Sequence, residues 1–294
     1  MAQKDLTQKN LEAYLDVFAD ALNALYHGGR RVIREEELQP APTESFYPAE
    51  NCSLKNQFQD VSMYLVRNGQ VKMRYMLENQ TKVERRMVLR KAGYEGAIYR
   101  RQLEEKHIYP VVGMLFYWGK GYWHSPRSLR DLLAKSFDDP TVKEMEEHMD
   151  DIRIDVFEMA RLPADVRKRF ESDLRIIVDY LAEGKEYEPG ERVIRHPEAL
   201  LQMLYALTGD TRYRKLSREV KGKEDVRMCE LLDKYEKRGE RRGEKRGEKR
   251  GEKKGLERVN KLIKVLIQNN RLEDLQRSAE DKVYQEQLFA EFGL

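Results

Sequence analysis

The chain has 294 residues, of which 40% are apolar and 36% charged, and its formal net charge is +3. That length holds one sizeable domain plus an appendage or two small domains, and the excess of charge points to long solvated helices beside an ordinary core. So small a net charge excludes a strong overall pull on nucleic acid, and any attraction to phosphate has to come from local patches.

Residues 237–254 are one such patch, with ten Lys or Arg against four Glu. Cys52 and Cys229 lie far apart without a Cys-x-x-Cys or histidine partner, so they read as free thiols in a reducing compartment. The first residues lack an apolar signal core and no apolar run approaches the ~20 residues that span a bilayer. A cytoplasmic protein with no membrane partner is expected.

Leu11, Leu15, Phe18, Leu22 and Leu25 recur at helical spacing between residues 7 and 26, with Thr7 as cap and His27-Gly28-Gly29 as the stop. Asp20 falls off the centre of that stripe, where a solvated carboxylate is the plain alternative to a site residue. Arg31–Arg34 reads as a short strand and Glu35-Glu36-Glu37 as a solvated acidic turn. Pro40, Pro42 and Pro48 argue against regular structure up to residue 58.

Residues 60–66 and 71–78 alternate in polarity and are rich in β-branched and aromatic types, with Asn68-Gly69 between them, which predicts a β-hairpin. Side chains alternate across a strand, so Glu78 and Gln80 share one face and Asn79 points away. With a two-residue loop, Asp60 would face Leu77 and lie on the opposite face from Glu78. With the three-residue loop Arg67-Asn68-Gly69, Val66 pairs with Gln70 and Asp60 sits diagonally across from Glu78, close enough to share a cation. The second register is the one expected. Two carboxylates held close repel unless a divalent cation lies between them, and hard Mg²⁺ with water and phosphate completing its shell suits phosphodiester cleavage. A hairpin with a merely polar edge is the bland alternative.

Residues 82–105 then read as a helix in which Arg86, Arg90, Tyr94 and Ile98 follow one another at i+4, so Arg90 borders the buried stripe and can reach Glu78, Gln80 or a phosphate. It can equally snorkel from the core edge, as can Tyr99. Gly93 and Gly96 in this helix imply close packing on the sheet. Residues 109–118 suit a buried strand, 128–135 and 141–150 helices, 152–159 a strand, and 164–182 and 197–208 helices. Lys120 in Gly-Lys-Gly lacks the spacing of a phosphate-binding loop, and lone His124 suits a structural hydrogen bond. Residues 239–255 repeat a Gly-Glu-basic-basic unit whose glutamates at i, i+4 and glycines oppose an isolated helix; a basic tether, a glycine-lined helix on a partner and a solvated spacer are the readings left. The order expected is a domain over 1–215 with a helical extension from about 128, a helix at 216–236, a linker at 237–255, and two amphipathic helices in 256–294 that could dock or form a homodimer.

Asp60, Glu78-Asn79-Gln80-Thr81, Arg90, Gly93-Tyr94, Tyr99, the run Pro110–Gly119 and Pro126-Arg127-Ser128-Leu129 together resemble the Rpn or YhgA-like transposases, the recombination-promoting nucleases of the PD-(D/E)XK superfamily. The resemblance covers roughly residues 8–210. It implies an α/β, restriction-endonuclease-like mixed sheet flanked by helices, and a Mg²⁺- or Mn²⁺-dependent endonuclease acting on double-stranded DNA in recombination, a mobile element or defence. It implies Asp60, Glu78 and the Asn79 carbonyl as metal ligands, Gln80 and Arg90 as catalytic partners, and Asp20, Tyr94 and Tyr99 as additional candidates. Gln80 stands where most of the superfamily has lysine and cannot carry its charge, so a catalytically weak nucleic-acid-binding protein is the alternative.

Overall fold

The computed structural model describes residues 11–48, 54–184, 187 and 190–294; Thr7 and Cys52 fall outside them. Two compact units divide the chain, residues 1–229 and 230–294.

The first unit opens with helix α1 (Leu15–Tyr26), which buries Val17, Phe18, Ala19, Ala21, Leu22, Asn23 and Ala24. The strands that follow are β1 (Leu38–Pro40), β2 (Glu44–Pro48), β3 (Leu54–Phe58), β4 (Val61–Arg67), β5 (Gln70–Gln80), β6 (Val111–Tyr117) and β7 (Asp155–Glu158). Five of them form one mixed sheet in the order β1-β4-β5-β6-β7, antiparallel at its first two junctions and parallel at β5-β6 and β6-β7. Helix α2 (Met87–Arg101) makes the crossover that a parallel pair requires. It covers one face of the sheet, where Met87 and Val88 meet Leu115, Tyr117, Ile154 and Val156, and Tyr94 and Ile98 meet Met76 and Val111. On the other face Phe18 of α1 packs edge-on against Tyr75 with ring centroids 6.4 Å apart. An α/β fold with a mixed sheet between helices is therefore what the chain forms.

Several details differ from the sequence reading. Arg31–Arg34 forms no strand; the first strand is β1, four residues later. Residues 44–48 and 54–58 are not irregular, since β2 and β3 pair antiparallel from Glu44↔Phe58 to Pro48↔Leu54. Pro40 and Pro48 end their strands, where the missing N–H does least harm. Helix α2 starts at Met87, not 82, and a Cβ added at Gly96 would meet nothing within 4 Å, so close packing does not account for that glycine.

The hairpin is the correction that matters most. Its loop is two residues, not three: Arg67 pairs with Gln70, and Asn68 and Gly69 both take positive φ (52° and 71°), as a type I′ turn demands. That loop alone would send Asp60 and Glu78 to opposite faces. A bulge between Leu65 and Val66 restores them, because Val66 pairs with Val71 but Leu65 with Met73, so Lys72 has no opposite. From there Met63 opposes Tyr75 and Val61 opposes Leu77, the last pair of the ladder, and by alternation Asp60, in the bend just before β4, falls on the Glu78 side of the sheet.

After β6 come α3 (Leu129–Leu133), α4 (Pro140–Glu144), α5 (Ala164–Arg167), α6 (Leu174–Glu183), α7 (Pro197–Thr208) and α8 (Thr211–Glu219). The helix expected over 164–182 is thus two helices. Gly209, at φ 75°, closes α7 in the left-handed conformation that glycine adopts without strain. Residues 216–236 do not form one helix, because α8 ends at Glu219 and the next begins at Met228.

Helix α9 (Met228–Gln268) carries the Gly-Glu-basic repeat, expected to oppose helix formation, through 41 continuous helical residues. Lys253 and Glu257 pair across one turn of it at 3.9 Å. Added Cβ atoms at Gly247, Gly251 and Gly255 would meet nothing. Helices α10 (Leu272–Glu280) and α11 (Lys282–Glu291) fold back on the end of α9, so that Leu262, Leu266, Leu288 and Phe289 form a small core. Leu275 packs on the same core, while Val283 is 70% exposed. Among the described residues no helix is long and apolar enough to cross a membrane.

Candidate active site

β5 is the central strand and is buried from Arg74 to Asn79, so its last residues carry polar groups into a covered place. Glu78 is 6% exposed. Its Oε2 lies 3.2 Å from Nη2 of Arg90, in the first turn of α2, and the same Nη2 donates to the Tyr94 hydroxyl at 3.0 Å. The helical i, i+4 spacing of Arg90 and Tyr94 aims both side chains at one point on the sheet. Burial disfavours the Arg90 charge more than any one neighbour favours it, but the Glu78 carboxylate, Tyr94 and Asp60 together outweigh burial and hold the guanidinium above its ordinary value. Burial, followed by the Glu78 charge, pushes the Tyr94 hydroxyl up to about 12, so it stays protonated at neutral pH. The Arg90 side chain is 41% exposed against 7% for Glu78, so the ion pair has one buried and one open end.

Asp60 accepts a hydrogen bond at 2.7 Å from the backbone N–H of Asn79. N–H and C=O of one strand residue point to the same neighbour, and the next residue, Gln80, gives its carbonyl to Trp118 on the β6 side. The Asn79 carbonyl is therefore directed to the Asp60 side. Gln80 is half-buried on the Glu78 face.

The Asn79 side chain does point away, as alternation requires, and it is not idle. Its amide donates to Glu12 and its carbonyl accepts from the Trp118 indole N–H at 2.7 Å. Glu12 is 1% exposed and was not expected from the sequence. Glu12 lies ahead of α1, and the extended backbone of Tyr14 separates the two, so helical spacing carried no signal for it.

Asp60, Glu78, Asn79, Gln80, Arg90 and Tyr94 are thus brought together at the carboxyl end of β5. Tyr99 is not among them: its hydroxyl accepts from the Val111 N–H at 3.0 Å and fixes the start of β6. Asp20 is also elsewhere, accepting backbone N–H groups from Glu171 and Ser172 ahead of α6. Asn23 holds the chain reversal after α1 through Val32 and Ile33.

Burial raises the Asp20 carboxyl above its ordinary 3.8, outweighing those hydrogen bonds. In the window just above 3.8 the folded state then holds a proton that the unfolded chain has released, so stability falls as pH rises through it. The unfolding free energy of the wild type minus that of Asp20→Asn should decline from about pH 3.5 to pH 6 in urea titrations; a flat or rising difference contradicts it.

A hard divalent cation fits the donor types here, two carboxylates and a backbone carbonyl, all oxygen. Among the described residues there is no group of three or more His, Cys, Asp or Glu that could hold a metal, which leaves a site of two carboxylates that water and phosphate would complete.

A family model described as "Putative transposase, YhgA-like" matches residues 38–206, a span that holds Asp60, Glu78, Gln80 and Arg90 but not Glu12. No curated protein and no solved structure matches the chain.

Proposed function

The chain belongs to the YhgA-like transposase family, and from that premise we propose that it is a metal-dependent endodeoxyribonuclease that hydrolyses phosphodiester bonds. The observation that supports this most is that Glu78 and Asp60 both act on the Arg90 guanidinium, while Asp60 Oδ2 is held 2.7 Å from the Asn79 backbone N–H. Polar loop ends at the carboxyl edge of parallel strands are where α/β proteins commonly bind ligands.

Asp60, Glu78 and the Asn79 carbonyl would hold Mg²⁺ or Mn²⁺, which when bound supplies Lewis-acid activation of a phosphate oxygen. Arg90 steadies the phosphate. Its contacts to Glu78 and Tyr94 both run through Nη2, and the Nη1 N–H groups would donate to a phosphate oxygen. Tyr94 keeps the guanidinium in place. Gln80 orients the attacking water by accepting one of its protons in a hydrogen bond, but has no basic site to remove it. Water adds to phosphorus as the P–O bond to the leaving oxygen breaks, and the protons exchange with solvent.

Gln80 also favours a second reading, a nuclease-fold protein that binds nucleic acid with little turnover. Nicking of supercoiled plasmid separates the two. Purified protein should nick with Mg²⁺ or Mn²⁺ and stop with EDTA, and Asp60→Ala should abolish nicking. Nicking that survives in the variant removes the site assignment; no nicking by the wild type with either metal leaves the binding protein.

A further inference from the structure

We propose that Tyr122 and Arg161 form a stacking shelf for an unpaired base, and that the site cuts DNA with single-stranded character beside the scissile phosphate. This rests on the nuclease reading for its chemistry, but on separate residues for its binding.

Tyr122 is 69% exposed, although Arg161 lies over one face of its ring with the guanidinium carbon 3.9 Å from the centroid. Arg161 is itself anchored, donating from Nη2 to the Lys120 carbonyl at 2.6 Å. The loop that carries Tyr122 is pinned on both sides. Trp118 donates its N–H to Gln80, the Trp123 N–H reaches Glu158 at 3.2 Å, and Ser125 donates its hydroxyl to the Glu84 carbonyl at 3.1 Å. Trp123 is buried against Tyr117 with centroids 5.2 Å apart. A large aromatic ring is therefore held open to solvent on a fixed loop, so that little ordering has to be supplied when a ligand arrives.

Its place in the fold couples it to the carboxylates. Gln80, Tyr117 and Glu158 lie level across β5, β6 and β7, so the strands end together. Glu78 precedes that line by two residues and Arg161 follows it by three. The lateral separation is two strand spacings, about 10 Å, the reach of a few nucleotides. Exposed Lys82, Arg85 and Arg86 leave the end of β5, and exposed Lys120 stands on the loop. Of the nearby acids, Glu158 is paired with Arg127 at 2.9 Å. The rim is thus cationic with an aromatic face inside it, the combination that follows a single strand by phosphate contact and base stacking. A base inside a duplex already has both faces stacked and cannot use the shelf.

Fluorescence anisotropy of the full chain in EDTA, at one fixed salt concentration, tests this with three labelled DNAs: a 20-nucleotide single strand, a duplex with an unpaired arm, and a blunt duplex. The wild type should bind the first two at least about tenfold more tightly than the third. Tyr122→Ala should lose about that factor on the first two and less than twofold on the blunt duplex, while Tyr122→Phe retains it. A 2-aminopurine in the unpaired arm should be quenched by the wild type and Tyr122→Phe but not by Tyr122→Ala, and Arg161→Gln should weaken the quenching. Equal affinity for all three DNAs, binding to none, or an unchanged Tyr122→Ala overturns the shelf. Cleavage plays no part in these measurements, so discrimination without nicking rejects only the nuclease reading, and nicking without discrimination rejects only the shelf.

Discussion

Glu78→Gln is expected to lower the Mg²⁺-dependent nicking rate about a thousandfold and to leave the unfolding free energy within about 1 kcal/mol of the wild type. Glutamine has the shape of glutamate, and its carbonyl oxygen can still accept from Arg90 Nη2, which lies 3.2 Å from the carboxylate oxygen it replaces. Arg90 is not stranded by the change, because its side chain is 41% exposed and retains Tyr94. What disappears is one of two negative charges offered to a divalent ion. Polarisation of phosphate by such an ion takes several kcal/mol off the barrier, and 1.4 kcal/mol is a factor of ten. Raising Mn²⁺ should recover part of the lost rate, since weakened affinity is overcome by mass action. A variant that nicks within tenfold of the wild type at low Mg²⁺ would remove Glu78 from the reaction. Arg90→Ala offers the contrast. It leaves the buried carboxylate of Glu78 without its cation, so it should destabilise the fold more than Glu78→Gln does, although each removes the same ion pair.

The hairpin that carries Glu78 was legible in the sequence, but its register was not. Polarity alternation marked both strands, and the Glu78, Asn79, Gln80 faces followed from the period of two. The loop, however, was decided locally by Asn68 and Gly69, which prefer the two-residue I′ turn, and the compensating bulge at Lys72 has no composition signature. Only packing of β5 between two helix layers fixes the face that its carboxylate must take. The reach of Arg90 was likewise visible because i+4 spacing on a helix is a local rule, whereas the partner of Asn79 was not. Glu12 lies 67 positions away in the chain, and such a contact exists only once the segment ahead of α1 has been laid against β5. The helix over the 239–255 repeat was misjudged for a related reason: intrinsic glycine propensity argues against it, while long helices propagate through weak formers when their ends are anchored, here by the Leu262 and Leu266 core.

Asn79→Leu should destabilise the first unit by roughly 2–5 kcal/mol and reduce nicking as well, although the Asn79 side chain touches neither face of the carboxylate pair. The amide bridges two buried groups, the Glu12 carboxylate and the Trp118 indole N–H, with the residue itself 7% exposed. Leucine has nearly the same volume, so the change creates no cavity; it withdraws a donor from one group and an acceptor from the other, at about 1–3 kcal/mol each. Since the backbone N–H of the same residue holds Asp60, a shift of β5 there moves a proposed ligand too. A partner deleted together with its counterpart is far less damaging than one deleted alone. Glu12→Met combined with Asn79→Leu should therefore unfold at a higher urea concentration than Asn79→Leu by itself, because the buried carboxyl that loses the amide donor is gone too. Additive losses in that double variant would mean that the Glu12 contact is incidental and that α1 is seated on the sheet by its apolar residues alone.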